Sequence, residues 1–265
     1  MDTNDGKIGS INYVIGGEET FEEVRMALME TCISIAKRYN LYDSYGDPRY
    51  AAIISVLSQE NCPSCMLRKL TKSRARKIDA FYGECHSLAT NILVEELYDI
   101  FEAMGFEVAI ATESRLRLGR ADIFLEVSRT GISIRDRESK RLVIEIKTGN
   151  SFSLAQILRY LCDGKVKKVI VWRIRNRQII SFDYDGTLSL MRKFMRSICL
   201  RGRRLLAYEG DPYDCNHDEE PEHFPTDDAL EEMFQDFIES IDATLPAIVK
   251  AVFESMIPEE AHSAA

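Results

Sequence analysis

The chain has 265 residues, 45% of them apolar and 29% charged, and a formal net charge of −9. This is enough apolar matter for a buried core, and no apolar run approaches the ~20 residues of a membrane-spanning helix, which excludes a membrane partner of that kind. Seven cysteines without a compact framework argue against a disulfide scaffold, and no basic segment followed by an apolar one opens the chain, so the expectation is a cytoplasmic, intracellular protein without a secretory signal.

Residues 1–17 are polar and without period, and read as a loosely held end. From Glu18 to Tyr39, residues Phe21, Val24, Leu28, Cys32 and Ile35 recur at three- and four-residue steps, the stripe of an amphipathic helix. Asp47-Pro48 reads as a helix start, with the aspartate as N-cap and the proline at the first helical position, and predicts a helix over Tyr50 to Leu57. A third helix is predicted from Met66 to Tyr82. It carries Arg68, Lys69, Lys72, Arg74, Arg76 and Lys77 before any acid, which is either a solvated face or a DNA-backbone contact.

Cys62-Pro-Ser-Cys65 precedes that third helix. Such a pair holds zinc, holds an iron–sulfur cluster, exchanges disulfides, or is simply two idle thiols. The lack of a surrounding βαβ pattern argues against the redox reading. A complete zinc or iron–sulfur site needs four ligands, and Cys85, Cys162, Cys199, Cys215 and His217 are the candidates to complete it.

A long helix is predicted from Glu84 to Met104, closed by Gly105, with Leu93, Leu97, Ile100, Phe101 and Met104 on its apolar face. His86 falls near the middle of that face, where an imidazole is either a core residue or a metal ligand. Glu96 lies at the edge of the same face and is the rival ligand, whereas Glu95 points away. Phe106 to Ala111 reads as a first strand. A loop with Arg115, Arg117 and Arg120 follows, and these guanidiniums can hold a phosphate.

The next segments hold most of the chemistry. Gly119-Arg-Ala-Asp122-Ile-Phe-Leu-Glu-Val127 and Leu142-Val-Ile-Glu145-Ile-Lys147 are short, β-branched runs and read as strands joined by a charged connection over Ser128 to Arg141. Alternation puts Ile123, Leu125 and Val127 opposite Asp122, Phe124 and Glu126, and Ile144 and Ile146 opposite Glu145 and Lys147. Two neighbouring strands can thus gather Asp122, Glu145 and Lys147 on one side of a sheet whose other side is core. Carboxylates hold Mg²⁺ or Mn²⁺ against a phosphate, and a lysine adds a point charge beside the reacting group. After Thr148-Gly149, residues Leu154, Ile157, Leu158 and Leu161 trace a helix with Gln156 and Tyr160 four residues apart on one side.

Further strands are predicted at Lys168 to Ile174 and Gln178 to Phe182, then a turn at Asp183-Tyr-Asp185-Gly186 and a helix over Leu188 to Leu200. From Asp211 onward there are 16 acids against Lys250 alone, while the preceding 210 residues hold 33 Lys and Arg against 27 acids. The body is therefore basic and suited to phosphates despite the negative total. Asp211 to Asp228 reads as an acidic linker. Leu230, Met233, Phe234, Phe237, Ile238 and Ile241 form a helical stripe, and Pro246 is expected to break it before Ile248 to Ile257. That stripe must bury itself against the same chain or against a second subunit, and the commonness of two-fold dimers favours a homodimer through the C-terminal helices.

Gly119-x-x-Asp122, Glu145-x-Lys147-Thr-Gly149 and Gln156-x-x-x-Tyr160, preceded by Gly83-x-x-His86, resemble the motif series of the PD-(D/E)xK nuclease superfamily, most closely its RecB-like branch. The resemblance covers about a third of the chain. It implies a restriction-endonuclease-like α/β core with a central mixed sheet flanked by helices. It also implies catalytic roles for Asp122, Glu145, Lys147, Gln156 and Tyr160, metal ligation by His86, Asp122 and Glu145, and cleavage of DNA with Mg²⁺ or Mn²⁺. Many members use a helix glutamate in place of the histidine, the role open to Glu96. The late cysteine cluster of iron–sulfur members is missing here. The expected organisation is a helical region over 1–82, a nuclease core over 83–210, and an acidic linker with a C-terminal helical appendage over 211–265. The alternative is a non-cutting module that binds DNA or protein on a nuclease fold.

Overall fold

A computed structural model describes residues 19–71, 78–129, 140–149, 153–162, 164, 166–213, 215 and 226–257. The expectations for residues 1–17, for Lys72, Arg74, Arg76 and Lys77, for most of the charged connection and the acidic linker, and for His217 lie outside the described residues.

Five strands form one mixed sheet: β1 (Phe106–Leu116), β2 (Gly119–Arg129), β3 (Lys140–Lys147), β4 (Lys168–Arg173) and β5 (Gln178–Asp183), side by side in that order. All neighbours are antiparallel except β3 and β4, which are parallel. A parallel pair needs a crossover, here α5 (Leu154–Cys162), and the crossover lays that helix across the face carrying Val143, Glu145 and Val171.

Both faces of the sheet are covered. On one side Ile123, Leu125, Ile144, Ile146, Ile170 and Trp172 pack against α4 (Ile78–Ala103) and α7 (Asp227–Met256). On the other, Ala121, Val143, Val169 and Val171 meet α5 and the helices α1 (Phe21–Tyr39), α2 (Tyr50–Gln59), α3 (Pro63–Thr71) and α6 (Tyr184–Leu206). The expectation of a sheet with core on one side only is thus corrected: β3 is buried from Leu142 through Ile146, Glu145 included. Among the described residues, no helix is long and apolar enough to cross a membrane.

Several element ends differ from the sequence reading, each for a local reason. Thr20 caps α1 in a reciprocal box with Glu23. Asp47 and Pro48 do not start α2, which begins at Tyr50; Asp47 instead pairs with Arg115 at 3.0 Å. Helix α4 starts at least six residues before Glu84, so Gly83 lies inside it. Strand β1 extends to Leu116, placing Arg115 and Arg120 in a β1–β2 hairpin rather than a loop. No turn separates β5 from α6: Asp183 has extended backbone and Tyr184 is already helical, its ring edge-on to Phe21 at 5.6 Å.

Helix α7 continues through Pro246. A proline inside a helix costs ~3 kcal/mol, and here Phe237, Ile241, Ile248, Val249, Val252 and Met256 offset that cost by docking on the sheet. Trp172 Nε1 adds a bond to Thr244 Oγ1 at 2.8 Å. Within the C-terminal stripe Phe237 and Ile241 are buried against their own chain, and Leu230, Met233, Phe234 and Ile238 are half-buried.

Helices α1 and α6 approach closely at Gly202, where an added Cβ would lie 2.3 Å from Thr31 Cγ2 and 3.3 Å from Ile35 Cδ1. Overpacking of this kind costs about 1–3 kcal/mol, against the ~1 kcal/mol that alanine returns as a better helix former. Gly202→Ala should therefore lower the Tm by about 2–4 °C in a thermal melt. A variant as stable as the parent would show that the two helices adjust for no more than the ~1 kcal/mol that alanine returns.

Candidate active site

Strands β2 and β3 pair from Val127↔Lys140 to Ile123↔Ile144 and then diverge. At the point of divergence Asp122 Oδ2 accepts the Ile146 N–H at 2.7 Å, taking the place of the next backbone acceptor. The same oxygen lies 3.2 Å from His86 Nε2, so α4 contributes to the site from the opposite layer. Asp122 is thereby fixed at the end of the ladder, with His86 beside it.

Glu145 is fully buried one residue before Ile146. Its Oε1 accepts from Lys147 Nζ and Gln156 Nε2, and its Oε2 lies 2.7 Å from Tyr160 OH. Lys147 Nζ also donates to Gln156 Oε1 at 3.0 Å, and Gln156 Nε2 donates to Tyr160 OH at 2.9 Å. Tyr160 OH is further within 2.6 Å of the Arg120 carbonyl. The spacing of four between Gln156 and Tyr160 points both side chains at β3. Gly119 completes the fit, since a Cβ there would sit 2.9 Å from Tyr160 Cε1 and 3.0 Å from Arg159 Nε.

Proton counting explains the charge state. Tyr160 has one hydroxyl proton and two acceptors, Glu145 Oε2 and the Arg120 carbonyl. A protonated Glu145 donates to Tyr160, which then donates to Arg120, and every group is satisfied. An ionised Glu145 draws the tyrosine proton to itself and leaves the carbonyl without it. Burial and the neighbouring Asp122 charge push Glu145 up to about 7, with Lys147 and Tyr160 acting the other way. His86 is raised by its bond to Asp122, with burial opposing. Tyr160 is raised by burial and by Glu145.

His86, Glu113 and Asp122 offer ligand atoms that all lie within 4.8 Å of one another. Of the expected trio of His86, Asp122 and Glu145, the first two stand in this group, and Glu113 stands beside them. In the hairpin register Glu113 stands opposite Asp122, between the pairs Thr112↔Ile123 and Ser114↔Ala121. Glu113 has a φ of 51°, a left-handed backbone that interrupts the pairing there. The rival Glu96 is exposed on the groove between α4 and α7, about 15 Å along the helix from His86 at 1.5 Å per residue.

The three arginines of the hairpin line a groove with Tyr45, Arg49 and Tyr50 beside Glu113. Arg115 pairs with Asp43 and Asp47 and lies over the Tyr45 ring, and Arg120 pairs with Glu113 at 2.5 Å. Away from this site, Cys62, Cys65 and Cys215 form a second close group, while Cys85, Cys162 and Cys199 are buried elsewhere in the core. No family model, curated protein or solved structure matches the chain.

The ionised form of Glu145 is the one the fold disfavours. Its contribution to stability is therefore complete below about 4.5 and is lost as pH rises through about 7. Glu145→Gln keeps a neutral group of similar shape. In metal-free protein it should raise the Tm by several degrees relative to the parent at pH 8 and by almost nothing at pH 5. Parallel Tm-versus-pH curves would contradict the neutral-carboxyl assignment.

Proposed function

We propose that this chain is a Mg²⁺- or Mn²⁺-dependent DNA nuclease with a restriction-endonuclease-like core of the RecB-like kind. The observation that carries the reading is the convergence of Asp122, Glu145, Lys147, Gln156 and Tyr160, from two strands and the crossover helix, with His86 on the outer side of Asp122. A sheet surface alone does not call for such a concentration of acids and donors at the end of a strand ladder.

The residues present fit a hard divalent cation. Glu113 and Asp122 offer carboxylate oxygens and His86 an imidazole nitrogen, a set suited to Mn²⁺ and, with water completing the shell, to Mg²⁺. Such an ion, when bound, polarises a phosphoryl oxygen and lowers the pKa of water. The chain's own groups divide the remaining work. Lys147 places a positive charge where a phosphate gains negative charge, and Gln156 holds that ammonium in position. Glu145, titrating near neutrality, takes up or releases a proton at its carboxyl oxygens while Tyr160 fixes their direction. Substrate binding falls to the basic body. The ion pairs of Arg115 and Arg120 lie at the surface, where water and salt screen them, so a DNA phosphate can displace the acids at small cost.

One observation favours a second reading, a fold of this kind that binds DNA or protein without cutting. Both oxygens of Glu145 are occupied by the chain itself, as in a purely structural carboxyl. Circular and linear, single- and double-stranded DNA incubated with Mn²⁺ separate the two. Cleavage should appear with the parent chain and fall at least ~100-fold in Lys147→Ala, with DNA binding largely retained. Binding without cleavage by the parent would select the second reading, and full cleavage by Lys147→Ala would remove this site from the reaction.

A further inference from the structure

Cys62, Cys65 and Cys215 have no part in the proposed nuclease site, yet their sulfurs lie within 4.8 Å of one another. Two come from the start of α3 and the third from the segment after α6. Cys65 and Cys215 are 150 residues apart in sequence and their sulfurs are 3.2 Å apart. We propose that these three cysteines bind one Zn²⁺, which fastens the root of the acidic C-terminal segment to the helical layer.

The spacing selects a single ion. Thiolates around tetrahedral zinc with bonds of 2.3 Å stand about 3.8 Å from each other, so the pair at 3.2 Å need open only slightly to admit it. A four-iron cluster takes its cysteines on separate irons and needs four of them, farther apart than ligands of one ion. Three thiolates leave the fourth tetrahedral position to water or to another side chain.

The surroundings hold the ligands in register independently of any metal. Ser64, between the two early cysteines, donates from Oγ to the carbonyls of Asp211 at 3.1 Å and Pro212 at 2.8 Å. Tyr208 OH reaches the Asp211 carbonyl at 3.0 Å, and the Tyr213 N–H caps Asp211 Oδ1 at 2.8 Å. The chain leading to Cys215 is thus pinned to the first turn of α3. Cys62 immediately precedes the helix and Cys65 lies in its first turn, where the helix dipole favours negative charge, while burial and the two neighbouring cysteines push the Cys65 thiol up in the absence of metal. Three thiolates and Zn²⁺ carry a net −1, and Arg68 Nη2, 3.8 Å from Cys65 Sγ, offsets it. Binding releases one proton per thiol that was protonated, and no electron is exchanged.

Co²⁺ is the probe, since thiolate ligation gives it a sulfur-to-metal charge-transfer band that oxygen and imidazole ligands do not produce. The full chain, purified under reducing conditions and stripped with a chelator, should develop that band at about one Co²⁺ per chain and lose it on addition of Zn²⁺. Cys65→Ser and Cys215→Ser should each weaken Co²⁺ binding at least ~10-fold and reduce the band, whereas Cys199→Ala keeps it. Absence of the band in the parent chain, an iron–sulfur chromophore in protein as isolated, or a Cys65–Cys215 disulfide that persists under reduction would each overturn the zinc site. The parent-chain titration decides the question even if a cysteine variant fails to fold. None of these readouts depends on nuclease activity.

Discussion

A carboxyl group buried beneath the centre of the sheet sets the terms for everything around it. Leaving Glu145 unsatisfied there would cost several kcal/mol, a large part of the 5–15 kcal/mol that holds an ordinary domain together. Lys147, Gln156 and Tyr160 remove that penalty, and only helix α5 lying across β3 can bring the last two within reach. The apolar side of α5, with Ile157, Leu158 and Leu161, drives the same docking. Packing and polar satisfaction therefore require one arrangement of the crossover, and Gly119 lets the Tyr160 ring approach closely enough to complete it.

The site lies where two layers meet the end of a strand ladder. Once β2 and β3 separate, their backbone groups need other partners, and Asp122 takes the Ile146 N–H with its side chain. That leaves the outer side of the carboxylate for His86, carried by the helix on the opposite face, and for Glu113 across the hairpin. Groups from α4, β1, β2, β3 and α5 converge, each carried on a regular element. Sites built on regular elements hold their geometry well, which suits a reaction that depends on fixed charges.

Much of this was legible in the pattern of residues. Alternation in Asp122 to Val127 and Leu142 to Lys147 marked β2 and β3, and the spacing of Gln156 and Tyr160 placed both on the side of α5 that meets Glu145. Glu113 was hidden because the β-branched run appeared to end at Ala111. A hairpin turning at Arg117-Leu118 would have set Glu113 opposite Asp122, and this register is the signal that could have found it. The second covered face was hidden too, since alternation in β2 suggests one open side while the cover comes from α1, α2 and α6, remote in sequence. Pro246 misled for an energetic reason: a local helix-breaking cost is smaller than the apolar burial along α7, which depends on a sheet the local sequence does not reveal. Cys215 could be named as a partner of Cys62 and Cys65 but not chosen over the other cysteines, because its spacing is not diagnostic and only the fold brings it near.

Mn²⁺ calorimetry on the parent chain, Asp122→Asn and Glu113→Gln tests most directly whether this cluster is built for a divalent metal. Thiolates are poor ligands for Mn²⁺, so the cysteine group does not obscure the result. One Mn²⁺ site in the parent chain, weakened at least ~10-fold in both variants at unchanged Tm, is the predicted outcome. Mn²⁺ binding that is absent from the parent, or that survives both substitutions undiminished, would contradict it.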